Sequence, residues 1–432
     1  MKQRPFEDWN AFIEPATTGD PSDDVLSFRS RHWGREVAVE PSLIHQPEGI
    51  TAAAIAAGVK HPGVLDFTVV KLDEPGSAAG VFTKNLCPSY AVQLGKRALA
   101  NGRAQALAVV SKNANVFTPN GEADMHALAG LVARELAVDE NDVVLSCTGV
   151  IGVPLPMAKL QTALIGFARK LRPGALDETA RAILTTDARP KVCSVRVGDL
   201  VVCAMAKGAG MIEPNMATML VYFFTNADAD ASELKAILTD AVERTFNSIS
   251  VDSDTSTSDT AVVFSTRRAK LDEGLRADFA DAVRCIALKL ARDIVAQSEG
   301  ATKLIECDVS VDTSAADAKL LAKRIINSPL VKTAVHGGDP NWGRLVMAIG
   351  KPDERQTIRS IRPAEVVIAM MGQVVFSRDE PVTVDLVELS SRIRASRRVA
   401  IDVRIGGGRH LAKVWGCDLG PDYVAINSEY TT

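Results

Sequence analysis

The stretch KGAGMIEPNMATMLVYFF, residues 207 to 224, constrains this chain more than any other. It sets glycines at 208 and 210, a charged pair and a proline directly ahead of an apolar run that opens on a lone hydroxyl, Thr218. Glycine admits backbone conformations closed to other residues, so the chain turns here and then enters a buried strand. Just upstream, KVCSVRVGDLVVCAM alternates around a Gly198-Asp199 turn and predicts a hairpin. A hairpin feeding a further apolar strand places a sheet at the middle of the chain.

The surrounding pattern is α/β. Strand-like runs at 65–70, 105–111 and 142–147 are interleaved with helical periodicity at 123–138 and 156–171. Beyond Thr218 the pattern predicts a strand over 218–224, helices near 231–247 and 276–297, a strand over 303–312 and a helix near 315–327. Two β-rich stretches, EVVIAMMGQVVFS and RRVAIDVRIGGGRHLAKVWGCD, follow. Residues 1–45 are charged and irregular and read as an extension. With 432 residues, 47% hydrophobic and 24% charged, the chain can bury a large core, as one large α/β unit or two.

Composition excludes several partners. The formal net charge of −4, with lysines and arginines scattered, offers nothing to nucleic acid or an anionic membrane. No apolar stretch approaches the length of a membrane span, and the N-terminus lacks an apolar leader core. Seven widely spaced cysteines with no CxxC pair suggest neither a zinc site nor a disulfide framework, which fits a reducing cytoplasm. The acidic run at 252–259 lacks the glycine of a calcium loop, and Val263 stands where its bidentate glutamate belongs, so no metal is expected. Gly208 and Gly210 lack the third glycine of a dinucleotide fingerprint, and no phosphate-binding loop occurs, so no nucleotide cofactor is implied.

Thr218 has an ordinary reading, a β-branched residue at a strand start, and a chemical one. If its Oγ attacks the carbonyl of Ala217, an N-to-O acyl shift gives an ester. Hydrolysis then frees a chain whose first residue supplies both a nucleophilic hydroxyl and an α-amine base. The six histidines form no evident triad with a nucleophile elbow, and this chemistry needs none. In LSCTGVIG, Thr148 and Gly149 close a strand, either as a strand-to-turn glycine or as a hydroxyl and an unhindered N–H aimed at an oxyanion. TTDARPK, SEGATK and the C-terminal YVAINSEYTT add polar groups in segments that periodicity reads as loops.

Together these stretches resemble one family. KGAGMIEPNMATML is similar to the autoprocessing signature of the ornithine acetyltransferases, the glutamate N-acetyltransferases of the cyclic arginine pathway. The resemblance runs in order through AAGVFTKN, CTGVIG, TTDARPK, VDSDTSTSDT, EGATK, HGGDPNWGR, WGCDL and the terminal YVAIN, and covers nearly everything after residue 46. It implies an α+β layered sandwich of the N-terminal-nucleophile kind, with a second, smaller α/β lobe. It also implies cleavage between Ala217 and Thr218 into an α chain (46–217, after the 1–45 extension) and a β chain (218–432). The two chains would fold together and associate as a dimer of heterodimers or larger in the cytoplasm.

The activity implied is ping-pong transfer of acetyl from N-acetylornithine to Thr218 and on to glutamate, with acetyl-CoA left open as a co-substrate. Thr218 matches the nucleophile, and Thr148 and Gly149 the oxyanion pair. Thr185, Lys207, Thr218, Glu299, Asn427 and Thr432 match the substrate-holding positions. A lysine for the carboxylate and a glutamate for the ammonium suit an α-amino acid.

The chain departs from the pattern at Val110 and Lys112, which replace an asparagine and a glycine, at Ser253 and Ser258, where glycine and asparagine are common, and at Gln297-Ser298. These departures leave the nucleophile alone but bear on donor and acceptor. Three alternatives stay open: a paralogue with another acyl-amino-acid substrate in a specialised pathway, an N-terminal-nucleophile amidohydrolase or peptidase, and a processed but inactive binding protein.

Overall fold

The computed structural model describes residues 19–213, 219–352, 358 and 360–429. Ala217, Thr218 and Thr432 lie outside the described residues. Contacts divide the chain into two compact units, one comprising 25–247 and 254–294, the other built mainly from 248–253 and 295–430.

The larger unit opens with β1 (Ser27–Arg29), β2 (Glu36–Ala38), β3 (Ile50–Ile55), β4 (Phe67–Phe82), α1 (Tyr90–Ala98), β5 (Arg103–Asn113), α2 (Gly121–Leu136) and β6 (Val143–Val150). It continues through α3 (Met157–Leu164), α4 (Leu176–Ala182), β7 (Lys191–Val197), β8 (Leu200–Lys207), β9 (Leu220–Ala227) and α5 (Ala231–Arg244). After β10 (Ile249–Ser250), which belongs to the other unit, come β11 (Thr260–Ala269) and α6 (Glu273–Ala296). An eight-stranded sheet runs β6-β5-β4-β11-β9-β8-β7, with β3 also paired to β4.

β8 is buried at every position and β9 at all but one, so both faces of these two strands are covered. Such strands read as continuous apolar runs rather than alternations. Phe224 of β9 stacks on Phe264 of β11 with ring centroids 5.4 Å apart, and burying each such ring contributes roughly 1.5–3 kcal/mol. α5 begins where the Asp230 carboxylate accepts from the backbone N–H of Glu233 at 2.8 Å, an N-cap.

The smaller unit carries β12 (Leu304–Val311), α7 (Ala315–Ile326), α8 (Pro329–Gly337), α9 (Trp342–Ile349), β13 (Val366–Met370), β14 (Gln373–Ser377) and β15 (Glu380–Pro381). It ends with α10 (Leu386–Ala395), β16 (Arg398–Ile405), β17 (His410–Cys417) and α11 (Pro421–Glu429). Its sheet order is β10-β17-β12-β16-β13-β14-β15. β16 and β17 are neighbours in sequence yet do not pair with each other. β12 lies between them, parallel to β16 and antiparallel to β17.

The structure differs from the sequence reading in three places. Residues 25–45, read as an irregular extension, pack into the larger unit: Leu26, Phe28 and Val39 are buried, and Ser30 donates to the Asp278 carboxylate of α6 at 2.5 Å. The helix expected over 156–171 stops at Leu164, because Ile165 turns extended and Gly166 adopts φ +70° before a short 3₁₀ turn over Phe167–Lys170. The C-terminal segment read as a loop is the helix α11, with Pro421 opening it, as suits the first turn.

Candidate functional site

The residues on either side of 214–218 end beside each other in the sheet. Lys207, the last residue of β8, pairs with Leu220 at the start of β9, and Leu220 pairs in turn with Thr260 of β11. Thr148 and Gly149 close β6. The Lys207 ammonium donates to Thr148 Oγ1 at 3.2 Å, with both residues buried. An ammonium cannot accept a hydrogen bond, so the Thr148 oxygen is the acceptor and its own proton is left to donate elsewhere. A hydroxyl polarised by a buried cation is well suited to stabilise a developing oxyanion.

Gly149 has φ +133°, and a Cβ there would lie 2.3 Å from the backbone carbon of Lys112. Only glycine fits. The crowding comes from a bulge in the β5–β6 pairing, where Asn113 faces both Thr148 and Val150.

The family resemblance implies a glycine at the position of Lys112, and the backbone there is one that suits glycine. Its φ is +74°, a left-handed conformation that costs an ordinary residue roughly 1–2 kcal/mol. The side chain offsets that cost by donating to the carbonyls of Leu184 at 2.7 Å and Thr185 at 3.1 Å, so it fixes the loop that carries Thr185. Burial, then the neighbouring Lys207, lowers the Lys112 ammonium pKa. Ser253, the second glycine replacement, is likewise left-handed at φ +65°.

Two acids that sequence reasoning quoted without a role organise this end of the sheet. Asp187, in TTDARPK, has a fully buried side chain that pairs with the equally buried Lys191 side chain at 2.7 Å. It also accepts from the backbone N–H of Gly208 at 2.7 Å and of Thr185 at 3.3 Å. Burial pushes its carboxyl upward, but Lys191, Lys207 and the Gly208 N–H outweigh burial and hold it well below the ordinary carboxylate range. The loop bearing Thr185 and the glycine after Lys207 therefore share one anchor.

Asp259 adjoins Thr260 and is 3% exposed. Burial raises its pKa well above the usual value, against the opposing pull of Lys207 and of the hydrogen bond from the Met219 N–H. Among the described residues its Oδ2 has no hydrogen-bond partner. A carboxyl raised in the folded state binds its proton more tightly there than in the unfolded chain. Its contribution to stability therefore falls as pH rises from about 4 through the folded-state value. Asp259→Asn removes that dependence. In a Thr218→Ala background, the melting temperature of the Asn variant relative to its parent should improve steadily with rising pH, and a pH-independent difference would count against a buried, protonated acid.

Glu299 and Asn427 form a second group, within the smaller unit. Asn427 Nδ2 of α11 donates to Glu299 Oε2 at 2.9 Å and to the Tyr423 carbonyl at 3.0 Å. Gly300, next to Glu299, has φ +66°, and a Cβ there would lie 2.3 Å from the Tyr423 nitrogen. The turn and the helix thus meet backbone to backbone. The structure brings Thr148, Gly149, Thr185 and Lys207 together in one unit and Glu299 with Asn427 in the other. Among the described residues no helix is long and apolar enough to cross a membrane.

A mixed α/β fold in which the ends of β6 and β8 bring together a buried lysine, a polarised threonine hydroxyl and an obligate glycine has the equipment of an acyl-transfer enzyme. The chain belongs to the ArgJ family, whose pattern it matches over residues 51–432. It is 41% identical over 387 residues to arginine biosynthesis bifunctional protein ArgJ 2 of a Nostoc species, covering 89% of this chain and 98% of that protein. To ArgJ of Brucella suis biovar 1 it is 42% identical over 400 residues, covering 88% and 95%. To the glutamate N-acetyltransferase Oat2 of Streptomyces clavuligerus it is 40% identical over 393 residues, covering 89% and 98%.

Proposed function

We propose that this chain cleaves itself between Ala217 and Thr218 and then moves acetyl from N-acetylornithine to glutamate through an acetyl-Thr218 ester. The observation that carries the reading is the contact of Thr148, near the end of β6, with Lys207, which ends the strand ahead of residues 214–218. In cleavage, Thr218 Oγ attacks the Ala217 carbonyl and the C–N bond breaks, which frees the Thr218 α-amine; water then hydrolyses the resulting ester, which frees the Oγ hydroxyl and releases the 1–217 chain. In transfer, that amine accepts the Thr218 hydroxyl proton as Oγ attacks the acetyl carbonyl, and returns it to the departing ornithine nitrogen. The glutamate amine then attacks the ester and regenerates the hydroxyl.

Thr148 and the Gly149 N–H stabilise the oxyanion in each step. Thr185, Lys207, Glu299, Asn427 and Thr432 are the substrate-holding positions that the family resemblance implies. The relatives named glutamate N-acetyltransferase and arginine biosynthesis bifunctional protein, each matched over most of its length, support this choice of substrates. The α and β chains work together in the cytoplasm as a dimer of heterodimers or larger, without a resident cofactor.

Incubation with N-acetylornithine, with and without glutamate, tests the reading. The expected result is N-acetylglutamate formed only when both substrates are present, with ornithine beyond the single equivalent that loads Thr218 likewise dependent on glutamate. Acetate release without dependence on glutamate would identify an amidohydrolase, and no turnover with either would leave a binding protein. A parallel arm with acetyl-CoA and glutamate reports whether the same ester is loaded from a thioester.

A further inference from the structure

Three stretches of the smaller unit that the catalytic reading leaves unused, His336 in HGGDPNWGR, Thr302-Lys303 in EGATK and Asp418 in WGCDL, converge on one carboxylate. Asp418 follows β17 directly, and its side chain is fully buried. Its Oδ1 accepts from the backbone N–H of Thr302 at 2.8 Å and of Lys303 at 2.9 Å. Its Oδ2 accepts from the Thr302 hydroxyl and lies 2.8 Å from His336 Nδ1. An ionised carboxylate only accepts, so Nδ1 carries the proton. The remaining backbone closes the knot, since the Asp418 N–H donates to the Lys303 carbonyl at 3.2 Å.

These bonds control two segments at once. On one side they pin Thr302 and Lys303, which end the turn that begins at Ser298 and carries Glu299; the Ala301 N–H closes it onto the Ser298 carbonyl at 3.1 Å. On the other side, the His336 ring sits in the last turn of α8 and against Gly420, where a Cβ would lie 2.4 Å from the ring. Gly420 immediately precedes Pro421, the first residue of α11, which carries Asn427. Asp418 therefore stands between the two backbones whose side chains meet in the 2.9 Å contact of Asn427 with Glu299.

We propose that Asp418 and His336 are positioning residues for the amino-acid end of the substrate, setting the register between the Glu299 turn and the start of α11. The inference rests on the reading of Glu299 and Asn427 as substrate-holding groups. Neither Asp418 nor His336 touches substrate in this account. Their loss shifts the Glu299 carboxylate and the Asn427 amide relative to each other and weakens binding before it weakens chemistry.

Steady-state kinetics on the full, self-processed protein test this, with Glu299→Gln as the reference. Asp418→Asn, which turns one acceptor into a donor facing other donors, should raise KM for both amino-acid substrates by about tenfold, with kcat within about twofold and cleavage complete. His336→Ala removes a partly exposed ring and should raise KM by about threefold. His336→Asn, whose amide nitrogen can take the place of Nδ1, should restore it. Should Asp418→Asn fail to fold, the His336 pair decides alone.

Unchanged KM in His336→Ala, beside a raised KM in Glu299→Gln, overturns the positioning role and leaves the catalytic reading standing. A joint fall of kcat and melting temperature without a rise in KM also overturns it, since that marks a merely structural bond. An unchanged KM in Glu299→Gln removes the reading on which the proposal rests, and the proposal with it.

Discussion

Thr218→Ala will run as a single chain of 46.1 kDa and will transfer no acetyl, whereas the unaltered protein will run as two fragments, 1–217 and 218–432. Cleavage at the Ala217–Thr218 bond requires an Oγ to accept the acyl group, and alanine has none. Transfer requires the same oxygen a second time, now beside a free α-amine that exists only after cleavage. One substitution thus removes nucleophile, base and processing together, and because these act as a unit their losses do not add. Denaturing gels and N-terminal sequencing check the first half, and the acetyl-exchange assay checks the second. Two chains in the Thr218→Ala protein, with the second still starting at position 218, would sink the autocatalytic reading.

Thr148→Ala should slow acetyl transfer by roughly 10²-fold or more, the usual scale for loss of one oxyanion donor. Lys207 occupies the acceptor side of this hydroxyl at 3.2 Å, which leaves its proton for the reacting carbonyl oxygen. Alanine deletes that donor and also strands the Lys207 ammonium without the Thr148 oxygen. Thr148→Ser keeps the hydroxyl and should retain most of the rate. Cleavage passes through an oxyanion of its own, so Thr148→Ala should also mature more slowly, and the kinetics belong on protein incubated until processing is complete. Rates within a factor of about two of the unaltered enzyme would remove Thr148 from the oxyanion role.

What was legible in the sequence was local. Apolar runs over 105–111 and 142–147 became β5 and β6, and the Gly198-Asp199 turn became the β7–β8 hairpin, because period, turn chemistry and length agree over a few residues. Signals failed where burial did not follow periodicity. Ile165 continues the apolar spacing of α3 yet is 75% exposed, and the helix has already ended there. α11 has no buried residue among those described, so it carries no apolar stripe to announce a helix.

The departures from the resembling sequences were visible as letters but not as geometry. Lys112 and Ser253 replace glycine at left-handed positions. The replacement at 112 is understood only once its ammonium is seen on the carbonyls of Leu184 and Thr185.

The sequence by itself determined the alternation of strands and helices, the glycine-rich stretch ahead of a threonine at 207–218, and the family, since each is written in contiguous residues and their order. Only the tertiary structure decided which acids matter. Asp187, Asp259 and Asp418 look like ordinary loop or strand-end carboxylates in the sequence. Asp187 is distinguished by meeting Lys191 and the Gly208 N–H away from water, and Asp418 by donors 82 to 116 positions away along the chain. A carboxylate's role depends on how many donors reach it and how little water does, and both are set by strand register and packing between segments far apart along the chain.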